Sequence, residues 1–172
     1  MVGKDLFDAD VRDLRFNDSE FDYVITNATL HHIDVPHVGI SEMYRVAKKG
    51  VLIIESNDSL IMRLACKIKL SEEFEESSVD RHKKTGGLLD LGIPNYVYRW
   101  TEREISKLLK SLDPSNKNTI IFDYENDLTN IKSKNALIKI IIFFAKIFFF
   151  FFKKQKNCLS IFIDKSKSLK RF

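Results

Sequence analysis

The sequence is poor in the residues from which several common sites are built. Its six glycines never occur as G-x-G, so no glycine-rich phosphate-binding loop follows a predicted strand. The two cysteines, Cys66 and Cys158, are far apart and outside any C-x-x-C pair, which argues against a disulfide framework and a thiolate zinc site. No apolar signal segment is visible at the N-terminus, so the expected compartment is the cytoplasm.

The charge distribution is uneven although the total is small. A formal net charge of +4 over 172 residues is too small to argue for nucleic-acid binding by itself, and no specific nucleic acid is expected as a partner. From Lys132 onward the chain carries many lysines and a single acid, Asp164, and residues 166–172 form a basic tail. Such a segment suits an anionic membrane surface as well as nucleic acid, and the charges alone do not separate these two partners.

Alternating strand and helix patterns predict an α/β fold. Residues 23–26 and 51–55 are short, nearly continuous apolar runs, as expected for parallel strands buried on both faces. A helix is predicted between them, beginning at Pro36 and ending in a left-handed cap at Gly50. Thr101 and Glu104 match the capping box of a further helix. Two later strands are predicted at residues 119–123 and 159–163.

Five blocks in the first third of the chain carry a family resemblance. They read D-V-R-D-L-R-F from Asp10, F-D-Y-V from Phe21, L-H-H-I from Leu30, E-M-Y-R-V from Glu42 and K-K-G from Lys48. In this order and spacing they resemble the middle of class I S-adenosylmethionine-dependent methyltransferases. Lys49 and Val51 stand where that family often has proline and a second glycine, a difference confined to a surface turn.

The resemblance implies a fold and a domain arrangement. The fold would be part of a Rossmann-like doubly wound sheet with strand order 3-2-1-4-5-7-6, mostly parallel with an antiparallel C-terminal strand, and ligands would meet at the carboxyl ends of the strands. Residues 1–165 would form an N-terminally truncated methyltransferase-like domain. Residues 58–99 would be a substrate-region insertion, and an apolar helix would cover about 135–152.

The same resemblance assigns site residues for S-adenosylmethionine. Asp10 and Val11 would bind its adenine, and Thr26, Asn27 and Ala28 would face its methionyl group. The glycine-rich turn that holds the cofactor in this family is absent, and only the stretch around Leu6 and Phe7 is left for the strand before Asp10. We therefore expect the strand at Tyr23 to be an apolar edge, this chain to bind the cofactor poorly by itself, and a complementing N-terminal chain to be a candidate partner.

The adjacent histidines are the candidates for acid–base chemistry. His32 is predicted to accept a proton from the acceptor, and His31, Tyr96 and Tyr98 to line the acceptor site, because imidazole titrates near neutral pH. A solvated acid is the competing interpretation of Asp10, and core packing that of the tyrosines. No metal site is predicted, since adjacent histidines on a helix point apart.

A phenylalanine-rich run near the C-terminus leaves two interpretations open. Lys132, Lys139, Lys146 and Lys153 repeat every seventh residue and form one stripe of a helix. Residues 132–154 would then lie in a membrane interface, at the inner membrane surface, or would instead form an internal helix over the sheet.

Two functions follow from these observations. The first is methyl transfer from S-adenosylmethionine to a small-molecule, lipid or saccharide-type acceptor. Because the glycine-rich loop is missing, the sequence does not decide whether this chain alone is catalytic. The alternative is a non-catalytic, membrane-associated or partner-binding remnant of a methyltransferase.

Overall fold

A computed structural model describes residues 8–80, 82–114, 119–126 and 136–166. The strand expected around Leu6 and Phe7, and most of the basic tail, lie outside these ranges. The helices are α1 Pro36–Val46, α2 Leu60–Lys67, α3 Glu102–Leu112 and α4 Ala136–Phe151. The strands are β1 Phe21–Asn27, β2 Ala47–Ser56, β3 Phe74–Glu75, β4 Val79–Asp80, β5 Thr85–Gly86, β6 Asn95–Tyr96, β7 Thr119–Glu125 and β8 Cys158–Asp164.

Four strands form the central sheet in the order β1-β2-β8-β7. β1 and β2 are parallel, whereas β8 is antiparallel to both of its neighbours, so β1, β2 and β7 share one direction. This is the order that the resemblance implies for its fourth, fifth, seventh and sixth strands. The predicted fold class, a mostly parallel sheet with an antiparallel C-terminal strand, is confirmed.

One face of the sheet carries the core. Val51 and Ile53 of β2 pair with Ile163 and Ile161 of β8, and all four side chains are fully buried. Helices α1 and α3 cover this face with side chains of the same cluster: Ile40, Met43 and Tyr44 of α1, and Ile105 and Leu109 of α3. The core therefore lies between one face of the sheet and a single layer formed by α1 and α3.

The prediction that both parallel strands are buried on both faces is wrong for β1. Val24 packs against the core, but Tyr23 and Ile25 are 56% and 67% exposed. Side chains alternate along a strand, so these two point to the face opposite α1 and α3. Among the described residues nothing covers that end of the sheet, and no strand pairs with the second edge of β1.

The helix before β2 ends earlier than predicted. Pro36 occupies its first turn as expected, but Ala47 already has extended backbone angles and begins β2. Gly50 is consequently a strand residue and not a left-handed helix cap. A Cβ at this position would lie 2.9 Å from the carbonyl oxygen of Ile163 and 3.0 Å from the ring of Phe162, so close strand packing accounts for the glycine.

The N-cap at Thr101 is confirmed, but only half of the predicted capping box forms, because the Glu104 carboxylate contacts Tyr98 and His37 instead of the Thr101 N–H. The Thr101 hydroxyl accepts a hydrogen bond from the backbone N–H of Glu104 at 3.2 Å, and the fully buried Trp100 precedes it. The backbone of Trp100 also bonds to Ser56 and Asp58 on either side of the β2 end. The start of α3 is thus fixed to the carboxyl end of β2.

We expect Thr101→Ala to lower the free energy of unfolding by about 1 kcal/mol, because the substitution leaves a helix N–H without its acceptor. Urea denaturation followed by circular dichroism measures this loss. Thr101→Ser keeps the oxygen and is the matched control. Equal losses for both variants would contradict a capping role.

Candidate active site

A buried carboxylate organises the carboxyl ends of β1 and β2. The side chain of Glu55 is fully buried, and its Oε1 accepts hydrogen bonds from the backbone N–H groups of Thr29 and Leu30, each at 2.8 Å. Its other oxygen, Oε2, lies 3.2 Å from Nδ1 of His31. Both carboxylate oxygens therefore have partners, which removes the main penalty of burying the group.

The chain reaches these contacts through a strained turn. Asn27 ends β1, and Ala28 then adopts φ of 48°, a left-handed conformation that costs energy for a residue with a Cβ. The Ala28 N–H is bonded to the carbonyl of Ile54 on β2. A short 3-10 turn, Leu30–His32, follows directly, so the histidines stand at the carboxyl ends of both parallel strands.

His31 is the better shielded of the two histidines, with a side chain 10% exposed against 43% for His32. The pKa of His31 is raised above its ordinary 6.5, chiefly by the hydrogen bond to Glu55 and against the opposing effect of burial. A bond from Nδ1–H to Glu55 leaves Nε2 as the site that takes up or releases a proton. This nitrogen lies 3.6 Å from Oε2 of Glu75.

His32 belongs to the same cluster through different partners. Its Nδ1 lies 2.5 Å from the amide nitrogen of Asn95, a residue with no exposed surface, and its Nε2 lies 4.0 Å from Glu75 Oε2. Asn95 and Glu75 face each other across the β3–β6 pair. The two short strands thereby bring an amide and a carboxylate from the 58–99 segment to the histidines.

The argument that adjacent histidines point apart is wrong for this turn. The two rings lie 4.3 Å apart between centroids and are tilted by 36°, although the residues are adjacent in the 3-10 turn. His31, His32 and Glu75 each offer one ligand atom, all within 4.8 Å of one another. Two imidazoles and a carboxylate are a donor set that divalent metals such as zinc accept.

The residues predicted to bind the cofactor lie beside this cluster. Asp10 is exposed and ion-paired to Arg12, which lowers the pKa of its carboxyl to about 2. Arg12 also bonds to Asp34 at 3.0 Å, two residues past His32, and so ties the loop at Asp10 to the histidine turn. Val11 packs against the core. Thr26 and Asn27 are the last residues of β1, and Ala28 follows them, two positions before the 3-10 turn begins.

A cavity of about 390 Å³ is lined by other residues than those of the cluster. Its lining contains acidic and basic side chains and two tyrosines. Among them are Asp58, Arg63, Glu73, Tyr96, Tyr98 and Glu104. The structure thus brings Tyr96 and Tyr98, the two predicted acceptor-site tyrosines, to one cavity, and Tyr96 follows Asn95 directly in β6. The wall admits a polar ligand with acidic, basic or aromatic groups.

Two residues of the cavity lining, Tyr98 and Glu104, belong to a second hydrogen-bonded group. The Tyr98 hydroxyl donates to Glu104, and burial is the main cause that raises its pKa. Glu104 also lies 2.9 Å from Nε2 of His37, whose ring packs on Trp100. Tyr98 therefore stays a neutral hydrogen-bonding group at physiological pH and does not act as a base.

Four residues of the site were not predicted from the sequence: Glu55, Glu75, Asn95 and Glu104. Glu55 had a usable signal, since it is an acid at the end of an otherwise apolar strand. Glu75 is one of several acids in a row, and neither Asn95 nor Glu104 stands in a site motif. Their roles depend on contacts between distant parts of the chain.

Comparison with known proteins finds a family match for the first third of the chain. Residues 2–54 match the family model described as a methyltransferase domain. No curated protein matches the chain.

Solved structures extend the likeness to the fold. A methyltransferase of Haloferax volcanii, solved in complex with the Trm112 methyltransferase activator, is similar with a TM-score of 0.55 and 12% identity. The match covers 95% of this chain and 61% of that one. An S-adenosylmethionine-dependent methyltransferase of Thermotoga maritima gives 0.47 at 14% identity, with 92% of this chain and 62% of that one covered. The chain therefore spans less than two thirds of the length of these two structures.

The Glu55–His31 contact gives a testable pKa. We expect Glu55→Gln to lower the pKa of His31 towards 6.5, because the amide keeps an acceptor for the backbone N–H groups but loses the charge. Histidine titration by NMR measures it. Glu75 raises the pKa of His31 less than Glu55 does, so Glu75→Gln should lower that pKa by a smaller amount. An unchanged pKa of His31 in the Glu55→Gln variant would contradict the pairing.

The same contact predicts a pH dependence of stability. Because the folded-state pKa of His31 is raised, the pair stabilises the fold fully below about pH 6.5, and this contribution is lost as the pH rises through the raised pKa. The difference in unfolding free energy between wild type and Glu55→Gln should therefore be largest on the acid side and shrink above neutral pH. Urea titrations across that range check it.

Proposed function

We propose that this chain takes part in methyl transfer from S-adenosylmethionine, because residues 2–54 match the methyltransferase domain model and the sheet has the class I methyltransferase order. The observation that carries the proposal is the placement of the His31–Glu55 pair at the shared carboxyl end of β1 and β2. Ligands of open α/β sheets bind at this position. The acceptor is proposed to be a small molecule, a lipid or a saccharide precursor.

The residues beside the cluster suit the cofactor in their chemistry. The Asp10 carboxyl is ionised and exposed, so it can accept a hydrogen bond from an adenine amino group, with Val11 beside it. Thr26, Asn27 and Ala28 would meet the methionyl end. When bound, the cofactor supplies a sulfonium-activated methyl group, and alignment with the acceptor then matters more than side-chain chemistry.

The two histidines are proposed to divide the work on the acceptor. His31 is the better proton acceptor, because Glu55 orients its ring and stabilises the protonated form. His32, for which the sequence predicts that role, is more exposed and is proposed to contact the acceptor. This exchanges the two predicted roles within one turn. Tyr96 and Tyr98 would hold the acceptor in the cavity that they line.

We expect His31→Gln to lower the rate of methyl transfer by roughly 10²–10⁴-fold, the usual contribution of a general base. The assay follows label from methyl-labelled S-adenosylmethionine into aqueous and organic extracts of cells containing the full chain. His82→Gln changes an exposed histidine and is the matched control. A chelator should leave the rate unchanged, so loss on chelation and recovery with zinc would instead assign the cluster to a metal.

The non-catalytic alternative is favoured by one feature, the amount of exposed apolar surface. Absence of labelled product and of cofactor binding in every preparation would support it. Peripheral binding of residues 132–154 at the inner membrane surface is a separate proposal, which rests on the exposed apolar side chains of α2 and α4.

A protein partner is proposed for the open end of the sheet. The Haloferax volcanii methyltransferase was solved with a protein activator, and here Tyr23 and Ile25 leave an apolar surface on β1. An apolar strand at a sheet edge favours association with another chain. A complementing chain that adds strands beside β1 would cover both the edge and the exposed face.

We expect the wild-type chain alone to self-associate and Ile25→Lys to reduce this, because a lysine on an edge strand opposes pairing. Light scattering coupled to size-exclusion chromatography measures the mass. Leu91→Lys, at a similarly exposed apolar position outside the sheet, is the control. A monomeric wild type would remove the argument for a partner at β1.

A further inference from the structure

Helix α4 packs little against the rest of the described chain. Of its residues with described side chains, only Phe149 is buried, and Phe143, Phe144, Phe150 and Phe151 are each 59% exposed or more. Single exposed apolar side chains are ordinary on protein surfaces, but a continuous set of large ones marks a contact surface.

The exposed residues of α4 are arranged by face. At about 100° per residue, the apolar side chains from Phe143 to Phe151 cover an arc of about 160°, with Phe149 on the opposite side toward the protein. Lys139 and Lys146 lie within about 20° of each other beside this arc, and Lys153 follows the end of the helix. α4 contains no acidic residue. The helix thus has a protein-facing side, a basic border and a wide apolar face.

A second apolar stripe lies where α4 ends. Leu60, Leu64 and Ile68 of α2 and its C-terminal flank recur every fourth residue and are all more than half exposed. The turn Lys153–Gln155 holds the two helices together, since the Gln155 carbonyl accepts from the Ser59 hydroxyl at 3.1 Å. Asn57 donates to the carbonyls of Lys154 and Lys156 on either side. The start of α2 and the end of α4 therefore adjoin.

We propose that this α2–α4 surface, the exposed apolar side chains of both helices with Lys139, Lys146 and Lys153, docks on an anionic lipid membrane. A wide phenylalanine face suits the boundary between headgroups and acyl chains, and a lysine border suits negatively charged headgroups. Sixteen residues of helix reach only about 24 Å, less than a bilayer core. In the described part of the chain no helix is both long and apolar enough to cross a membrane.

The surface also bears on the acceptor. Arg63 and Cys66 of α2 line the cavity beside Tyr96, so docking would bring the cavity to the level of the headgroups. Among the proposed acceptors this favours the lipid type. That narrowing rests on the proposed methyl transfer, whereas the docking itself does not depend on it.

Vesicle flotation with the full chain tests the docking. We expect the chain to float with vesicles of phosphatidylcholine and phosphatidylglycerol, and at least tenfold less with phosphatidylcholine alone. The double variant Phe143→Ser, Phe150→Ser should lose binding because it removes apolar contacts. Lys139→Glu, Lys146→Glu should lose it because it reverses the charge of the border. Leu91→Ser, Ile121→Ser changes equally exposed apolar residues outside both helices and should bind as wild type does.

Two results would overturn the proposal. One is absence of flotation with anionic vesicles, and the other is flotation that the phenylalanine variant does not change. If the wild type instead forms a dimer that the phenylalanine variant abolishes, without any flotation, a second copy of the chain covers the surface and the membrane is excluded. Circular dichroism of each variant shows that the fold is kept, since every changed side chain is exposed.

Discussion

The burial of the Glu55 carboxylate is the constraint on which the site depends. A carboxylate withdrawn from water costs several kcal/mol unless its oxygens are bonded. Here two backbone N–H groups and one imidazole meet that demand. The same three contacts fix the exit of β1, the first turn after it and the orientation of His31, so one side chain at the end of β2 determines where the histidines stand.

That constraint explains the strained residue before the turn. The parallel register pairs Asn27 with Ile54, and the chain must then turn sharply for the next N–H groups to reach Glu55. Ala28 makes this turn in the left-handed region, and its own N–H stays bonded to Ile54. Non-glycine residues keep such angles only where the surroundings enforce them. The contacts to β2 and Glu55 are those surroundings.

Local sequence signals predicted the helices and strands better than they predicted the contacts between distant parts of the chain. The strands, the start of α1 at Pro36 and the cap at Thr101 follow from patterns within a few residues. Gly50 was misassigned because its cause is the Ile163 carbonyl, more than a hundred positions away. The cluster partners Glu75 and Asn95 lie far from the histidines in sequence, and only the β3–β6 pair brings them together. No local pattern encodes such a contact.

Two apolar surfaces stay exposed because the helices cover only one face of the sheet. α1 and α3 cover one face of the sheet and bury most of their apolar residues there. Tyr23 and Ile25 remain uncovered at the β1 end, while α4 connects the two strands at the opposite end, β7 and β8. A partner that covers β1 therefore leaves α4 exposed, and a membrane that takes up α4 leaves β1 open. The two surfaces therefore call for different occupants.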